Sequence, residues 1–117
     1  MDFKTFDSLV VPADSSAAAQ IAKALPEASV VKGFNTTFAA TLNTGLVAGK
    51  VQTTVFLASD SKEAKEAVAK ALAGSGLAII DAGSLKRARE LEAMGFLQIA
   101  LAAAGKIGWT GGFGILR

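Results

Sequence analysis

The chain has 117 residues, with 12 Lys and Arg against 10 Asp and Glu, so its formal net charge is only +2. This balance is too weak to indicate a nucleic acid or an anionic membrane surface as a partner. The chain has no Cys and no His, which excludes disulfides, thiolate chemistry and a Ser-His-Asp or Cys-His mechanism. The length fits one domain, and an apolar share of 51% is enough for a core.

The first residues do not have the basic start and apolar stretch of a secretory signal. Residues 1–13 lack a clear period and close at Pro12, so we predict a connecting arm followed by a single domain over residues 14–117. The longest apolar run, residues 93–104, is interrupted by Gln98. It is shorter than the ~20 residues that a membrane span needs, so we expect a cytoplasmic protein with no membrane partner.

The first predicted helix follows a capping segment, Asp14-Ser15-Ser16, and ends at Pro26. Residues 29–33 then predict a β-strand that ends in a polar turn. In this turn, Asn35-Thr36-Thr37 offers side chains that can cap a short helix, which Gly45 or Gly49 would end. Because ligands sit at the carboxyl ends of parallel strands, the turn is either a plain cap or part of a site.

Two further strands and a helix follow. Residues 53–58 are almost continuously apolar, which is typical of a strand covered on both faces. Asp60 and Glu63 resemble a capping box at the start of the next helix. The stripe predicted to be buried in that helix is Ala64, Ala67, Val68, Ala71 and Leu72. Residues 77–81 predict the third strand.

Ser84 can cap a long helix that runs to about residue 104. Its second half, residues 94–104 beginning with Met94, is apolar nearly all round and must therefore be enclosed. A subunit interface is the economical explanation, and Gly95 would let another backbone approach closely. The alternation of helices and strands predicts an α/β fold.

Three features could carry chemistry. The Asp81 carboxylate points into a site or bonds the backbone amides of the next turn. Lys86, Arg87 and Arg89 oppose the helix dipole, so they pair with acidic neighbours, Glu90 and Glu92, or bind an anion. Trp109 stacks on a planar ring or belongs to the core or an interface. No catalytic side chain and no metal-ligand set is predicted.

Three motifs, residues 30–36, residues 81–85 with 88–92, and residues 109–113, resemble the C-terminal part of the NADP-dependent, deazaflavin-coenzyme-type oxidoreductases. The reductase domain of the six-transmembrane metalloreductases is similar to the same pattern. The resemblance covers nearly the whole chain and implies the C-terminal portion of a Rossmann-like sheet. That portion would have about three to four strands, flanking helices and one long C-terminal helix.

The resemblance implies hydride transfer between NADP and a flavin-like or deazaflavin ring, with the cofactors carrying the chemistry. Asn35, Thr36 and Ala39 would border the nicotinamide. The turn that contains Asp81, Gly83, Ser84 and Leu85 would lie near the flavin-like or deazaflavin ring.

The chain has no G-x-G-x-x-G motif opening a helix, so it would lack the loop that holds the NADP phosphates. We therefore expect weak NADP binding by this chain alone and a Rossmann half supplied by another segment or partner. A sheet without its N-terminal strands would leave an apolar edge, which favours a homo-oligomer built on that edge and on residues 94–104. Two alternatives are a non-enzymatic, self-associating α/β module and an anion-binding module that uses Lys86, Arg87 and Arg89.

Overall fold

The protein has a mixed α/β fold, as the sequence predicts. The computed structural model describes residues 11–12 and 14–117, so the arm predicted over residues 1–13 lies almost entirely outside the described residues. In chain order the elements are α1 (Ala17–Ala24), α2 (Ala39–Thr44), β1 (Leu46–Val47), β2 (Val51–Gln52), β3 (Thr54–Ala58), α3 (Lys62–Ala71), β4 (Ala78–Gly83), a 3-10 turn (Leu85–Arg87) and α4 (Ala88–Ala103). Among these described helices, none has the length and hydrophobicity to cross a membrane.

The centre of the fold is a parallel pair of strands, β3 and β4, in which Val55 lies opposite Ile79. Val55 and Ala58 are completely buried, as the apolar run of β3 predicts. The register shifts after Leu57. Leu57 lies opposite Asp81, but the next residue, Ala58, lies opposite Gly83, so Ala82 has no partner on β3. This bulge places one extra residue near the carboxyl end of β4.

The prediction of a strand over residues 29–33 is wrong, because this segment makes only one bridge to β3. Lys32 and Ala58 exchange two backbone hydrogen bonds of 2.8 and 3.0 Å, in antiparallel orientation. The Val30 carbonyl accepts instead from the Ser59 hydroxyl at 2.6 Å, so no longer ladder forms. Because the segment runs antiparallel to β3, the turn after it lies away from the carboxyl end of the sheet.

The helix ends follow the predicted chemistry in part. Ser16 caps α1 by accepting from the Ala19 N–H at 2.9 Å, and Gly45 ends α2 with a φ of 76°. The cap predicted for α2 is wrong, because Phe38 takes the cap position without a side-chain hydrogen bond. The cap of α3 is Ser61 rather than Asp60, since Ser61 accepts from the Ala64 N–H at 3.1 Å.

A small hairpin, β1–β2, was not predicted, because its strands are only two residues long. Its turn is closed by the Lys50 N–H donating to the Val47 carbonyl at 3.0 Å. Ala48 and Gly49 occupy the central positions with φ values of 52° and 68°. Positive φ at both positions is the geometry in which Asn-Gly is preferred.

We therefore expect Ala48→Asn to raise the free energy of unfolding by about 0.5–1 kcal/mol, because Asn tolerates this conformation better than Ala. Urea denaturation measures the change. Ala48→Val is the matched opposite, since a β-branched residue is strained at positive φ and should destabilise the protein. Equal stability of the two variants would contradict this assignment of the turn.

The long helix begins as a 3-10 turn and continues as α4, so its predicted position is confirmed. Ser84 makes no side-chain capping bond, which corrects the predicted cap. The apolar second half of α4 is partly enclosed by its own chain, since the Gln98 carboxamide is 1% exposed and accepts from the Phe113 N–H at 3.1 Å. Leu97 remains 50% exposed, and the predicted subunit interface stays a prediction.

Candidate functional site

Asp81 and Gly83 lie together at the carboxyl end of β4, clamped by a lysine from α3. The Lys65 ammonium donates to Asp81 Oδ1 at 2.8 Å and to the Gly83 carbonyl at 3.0 Å. Asp81 Oδ1 also accepts from the Gly83 N–H at 2.8 Å, which is the turn bond considered from the sequence. The Lys65 side chain is 12% exposed and that of Asp81 is 61% exposed. Lys65 therefore binds the end of β4 from the buried side of the contact, and the Asp81 carboxylate remains accessible to solvent.

No role was predicted for Lys65, because the predicted buried stripe of α3 was wrong in part. Ala67 and Ala71 are exposed, whereas Lys65 and Ala69 are half-buried. Lys65 precedes Val68 by three residues and Leu72 by seven, so helical spacing does place it on the inner face. That spacing was the signal that could have identified it.

The hydrogen bond from Lys65, with a second from the Gly83 N–H, holds the pKa of the Asp81 carboxyl below its ordinary value. Such a carboxylate contributes stability above the pKa of the unfolded chain, about 3.9, and the contribution is lost as the pH falls through the folded-state pKa. We expect the stability gap between wild type and Asp81→Asn to be widest near neutral pH and to close in acid. Urea denaturation across this pH range measures it, and a gap independent of pH would contradict the assignment.

Leu85 joins this end of the sheet through the loop that follows β3. Its N–H donates to Asp60 Oδ1 at 3.0 Å, and its side chain is 6% exposed. Asp60 therefore accepts from the first N–H of the helix start, whereas a Ser84 cap would have accepted from a later one, that of Lys86 or Arg87. The Ser84 side chain remains exposed beside it.

Asn35 contacts the middle of α4 rather than the carboxyl end of the sheet. Its Nδ2 donates to the Leu91 carbonyl at 2.6 Å. A Cβ placed on Gly95 would lie 2.7 Å from the Asn35 carbonyl oxygen, so the backbone that approaches Gly95 belongs to the same chain. The sequence correctly identified the close approach, although it expected a partner subunit.

The predicted site residues thus form two groups. The first group lies where β4 ends and the long helix begins, and its residues are neighbours in the sequence: Asp81, Gly83, Ser84 and Leu85. The other three, Asn35, Thr36 and Ala39, belong to a segment anchored at Gly95, roughly 10 Å further along the axis of α4 by helical rise. Thr36 is 6% exposed, whereas Ala39 is exposed at the first position of α2.

Within the described part of the chain, the basic residues at the start of the long helix are paired only in part. Arg87 contacts Glu90 at 3.0 Å, which favours the salt-bridged interpretation over the anion site. Glu92 does not pair with Arg89 as predicted. Its carboxylate instead accepts from the Ala17 and Ala18 N–H groups at 2.6 and 3.1 Å.

Trp109 is 55% exposed and packs against Phe38, with ring centroids 5.0 Å apart and planes tilted by 52°. The carbonyl of Thr110, the next residue, accepts from the Ala48 N–H at 2.7 Å and ties this part of the tail to the hairpin. Because Phe38 precedes Ala39, the indole lies beside the Asn35 segment. Its exposed area is compatible with a ring contact.

The mixed α/β fold is similar to the C-terminal part of a Rossmann-like oxidoreductase. The chain is similar to a crystal structure from Arthrobacter sp. FB24, assigned as an F420-dependent NADP reductase, with a TM-score of 0.81 and 32% sequence identity. The match covers 94% of this chain and 50% of that one, where it lies in the C-terminal part, so the chain spans about half the length of its neighbour. The resemblance predicted from the sequence is confirmed. Comparisons with protein-family models and with curated proteins give no match.

Proposed function

We propose that this chain supports hydride transfer between NADP(H) and a flavin-like or deazaflavin acceptor. The observation that supports it best is the structural similarity to the F420-dependent NADP reductase over 94% of the chain. Bound cofactors would supply the hydride chemistry, which suits a sequence with neither His nor Cys to act as a base. The chain's own residues would position the rings.

The turn that follows β4 fits the edge of such a ring in two respects. Ser84 is exposed, and Asp81 uses one carboxylate oxygen for Lys65 and Gly83 while its side chain stays 61% exposed. We propose that the Ser84 hydroxyl and the second Asp81 oxygen face the deazaflavin or flavin. Gly83 and Leu85 would fix the path of this turn.

The Asn35 segment fits the nicotinamide less directly. Asn35 Nδ2 is already bonded to the Leu91 carbonyl, and Thr36 is buried. We therefore propose Asn35 as a positioning residue that holds the segment on α4, with exposed Ala39 bordering the ring. The NADP phosphates would be held by a Rossmann half outside these residues.

A binding experiment tests this division of roles. The chain is titrated with F420, followed by fluorescence anisotropy, and with NADPH, followed by nucleotide fluorescence. We expect F420 to bind and NADPH to bind much more weakly. Ser84→Trp should lower the F420 affinity at least about tenfold, equivalent to ~1.4 kcal/mol, because the indole fills the proposed ring site.

Ala73→Trp is the matched control, since Ala73 is exposed just beyond the end of α3, remote from the turn. It should leave F420 binding unchanged. An unchanged affinity in Ser84→Trp would argue against the ring site. NADPH binding as tight as F420 binding would contradict the assignment of the phosphates to another segment.

A second candidate function, the self-associating module, is favoured by exposed apolar side chains. Ile21, Leu25, Leu97 and Trp109 are each at least half exposed. Sedimentation velocity distinguishes the two proposals. A homo-oligomer that Leu97→Lys dissociates would support self-association through residues 94–104, whereas a folded monomer at all concentrations would count against it.

A further inference from the structure

A cavity of about 230 Å³ opens beside the carboxyl end of β3, between the loop after α1 and the loop that leads into α3. A water molecule takes about 30 Å³ of liquid volume, so the cavity holds more than isolated waters. It is smaller than the roughly 300–1,000 Å³ of pockets for drug-sized ligands. Its size therefore suits one small ring.

The cavity has an apolar floor and a polar rim. The apolar floor consists of Ala22, Val30 and Leu85. Leu85 belongs to the small apolar core between α1 and the start of α4, and Ala22 and Val30 pack against that core. Ser29, Asp60 and Ser61 supply polar groups at the rim. Apart from Leu85, none of these residues belongs to the predicted cofactor site.

The hydrogen bonds within the protein use Asp60 and Ser61 only in part. Asp60 Oδ1 accepts from the Leu85 N–H at 3.0 Å, while its second oxygen has no donor among the described residues. Ser61 Oγ accepts from the Ala64 N–H at 3.1 Å, and in the described part of the chain its own proton has no acceptor. Asp60 and Ser61 thus offer one carboxylate acceptor and one hydroxyl donor, and the Ser29 hydroxyl can donate or accept beside them.

These two groups discriminate between ligand classes. A hydroxyl group can donate to Asp60 and accept from Ser61, whereas an ammonium can only donate. A phosphate at neutral pH is chiefly an acceptor and would face the Asp60 charge without a cation among the lining residues. We propose that this cavity, named here the Asp60 cavity, binds a neutral, hydroxyl-bearing ring of pentose size. The proposal does not depend on hydride transfer.

The test uses the whole chain with uniform ¹⁵N labelling and follows the backbone amide signals by NMR. Titration with D-ribose should give saturable shifts at Ser59, Ser61 and Leu85. Tetrahydrofuran, an ether ring of similar size without hydroxyls, and inorganic phosphate should not shift these signals. Shifts of equal size with tetrahydrofuran, or larger shifts with phosphate, would overturn the proposal, as would no response to ribose.

Asp60→Asn is the decisive variant, because Asn Oδ1 can still accept from the Leu85 N–H and preserve the loop contact. Its amide would then present a donor where the carboxylate accepts. Ribose affinity should fall about tenfold, and the discrimination against phosphate should weaken. Glu66→Gln, which removes one carboxylate on an exposed part of α3, should leave ribose binding unchanged. Wild-type ribose affinity in Asp60→Asn would refute the proposed site.

Discussion

Glu92→Ala should lower the free energy of unfolding by about 2–3 kcal/mol, because one carboxylate joins three parts of the fold. Its two oxygens accept from the Ala17 and Ala18 N–H groups at 2.6 and 3.1 Å, at the start of α1. The Lys32 ammonium lies 3.5 Å from Oε2, and the Glu92 side chain is 9% exposed. Alanine would leave helix-terminal donors and a half-buried cation without this acceptor.

Glu90→Ala provides the matched control on the same helix. Glu90 contacts Arg87 at 3.0 Å, but the two side chains are 52% and 44% exposed. Exposed pairs contribute little, so we expect a change within about 0.5 kcal/mol. Urea denaturation of both variants measures the difference, and equal effects would contradict the role assigned to Glu92. Glu92→Gln should fall between them, since its carboxamide retains one acceptor.

Gly95→Ala should destabilise the protein by about 2 kcal/mol, although alanine is the better helix former by about 1 kcal/mol. The new Cβ would lie 2.7 Å from the Asn35 carbonyl oxygen and 3.0 Å from its Nδ2. The carbonyl is backbone, so it can move only if the whole turn shifts on α4. The clash therefore outweighs the propensity gain.

Gly108→Ala is the control for this substitution. A Cβ there would meet only Thr110, at 3.9 Å, so the change should be close to neutral. Chemical denaturation and the NMR signal of the Asn35 side-chain amide report the two effects together. A stabilised Gly95→Ala protein with an unchanged Asn35 signal would contradict the close contact between the Asn35 backbone and Gly95.

The sequence predicted those elements whose signals are local. The apolar run of β3 leads to complete burial of Val55, and the Ser16 hydroxyl caps α1 at 2.9 Å. The long helix was identified to within a few residues, because its apolar content and its flanking residues are continuous in the chain. The Asp81 turn bond was also one of the two stated alternatives.

The errors arose where contacts between distant segments decide the position of a polar group or a strand. The Asn35 segment looked like a helix cap, but α2 begins later, with Phe38 at the cap position. Asn35 instead donates to the Leu91 carbonyl, fifty-six residues away. Ser84 makes no capping bond, and the Leu85 N–H beside it donates to Asp60, which lies in the loop after β3. Residues 29–33 have strand composition, yet only Lys32 obtains a partner on β3.

The sequence by itself determined the α/β class, the resemblance to the deazaflavin-linked reductases and the absence of His and Cys chemistry, since these follow from composition and contiguous motifs. Only the tertiary structure decided which polar groups meet. Lys65 with Asp81, Glu92 with the start of α1, and Asn35 with Gly95 are each brought together by packing between elements. The physical reason is that a hydrogen bond depends on distance and direction in space, and local patterns do not encode the approach of distant segments.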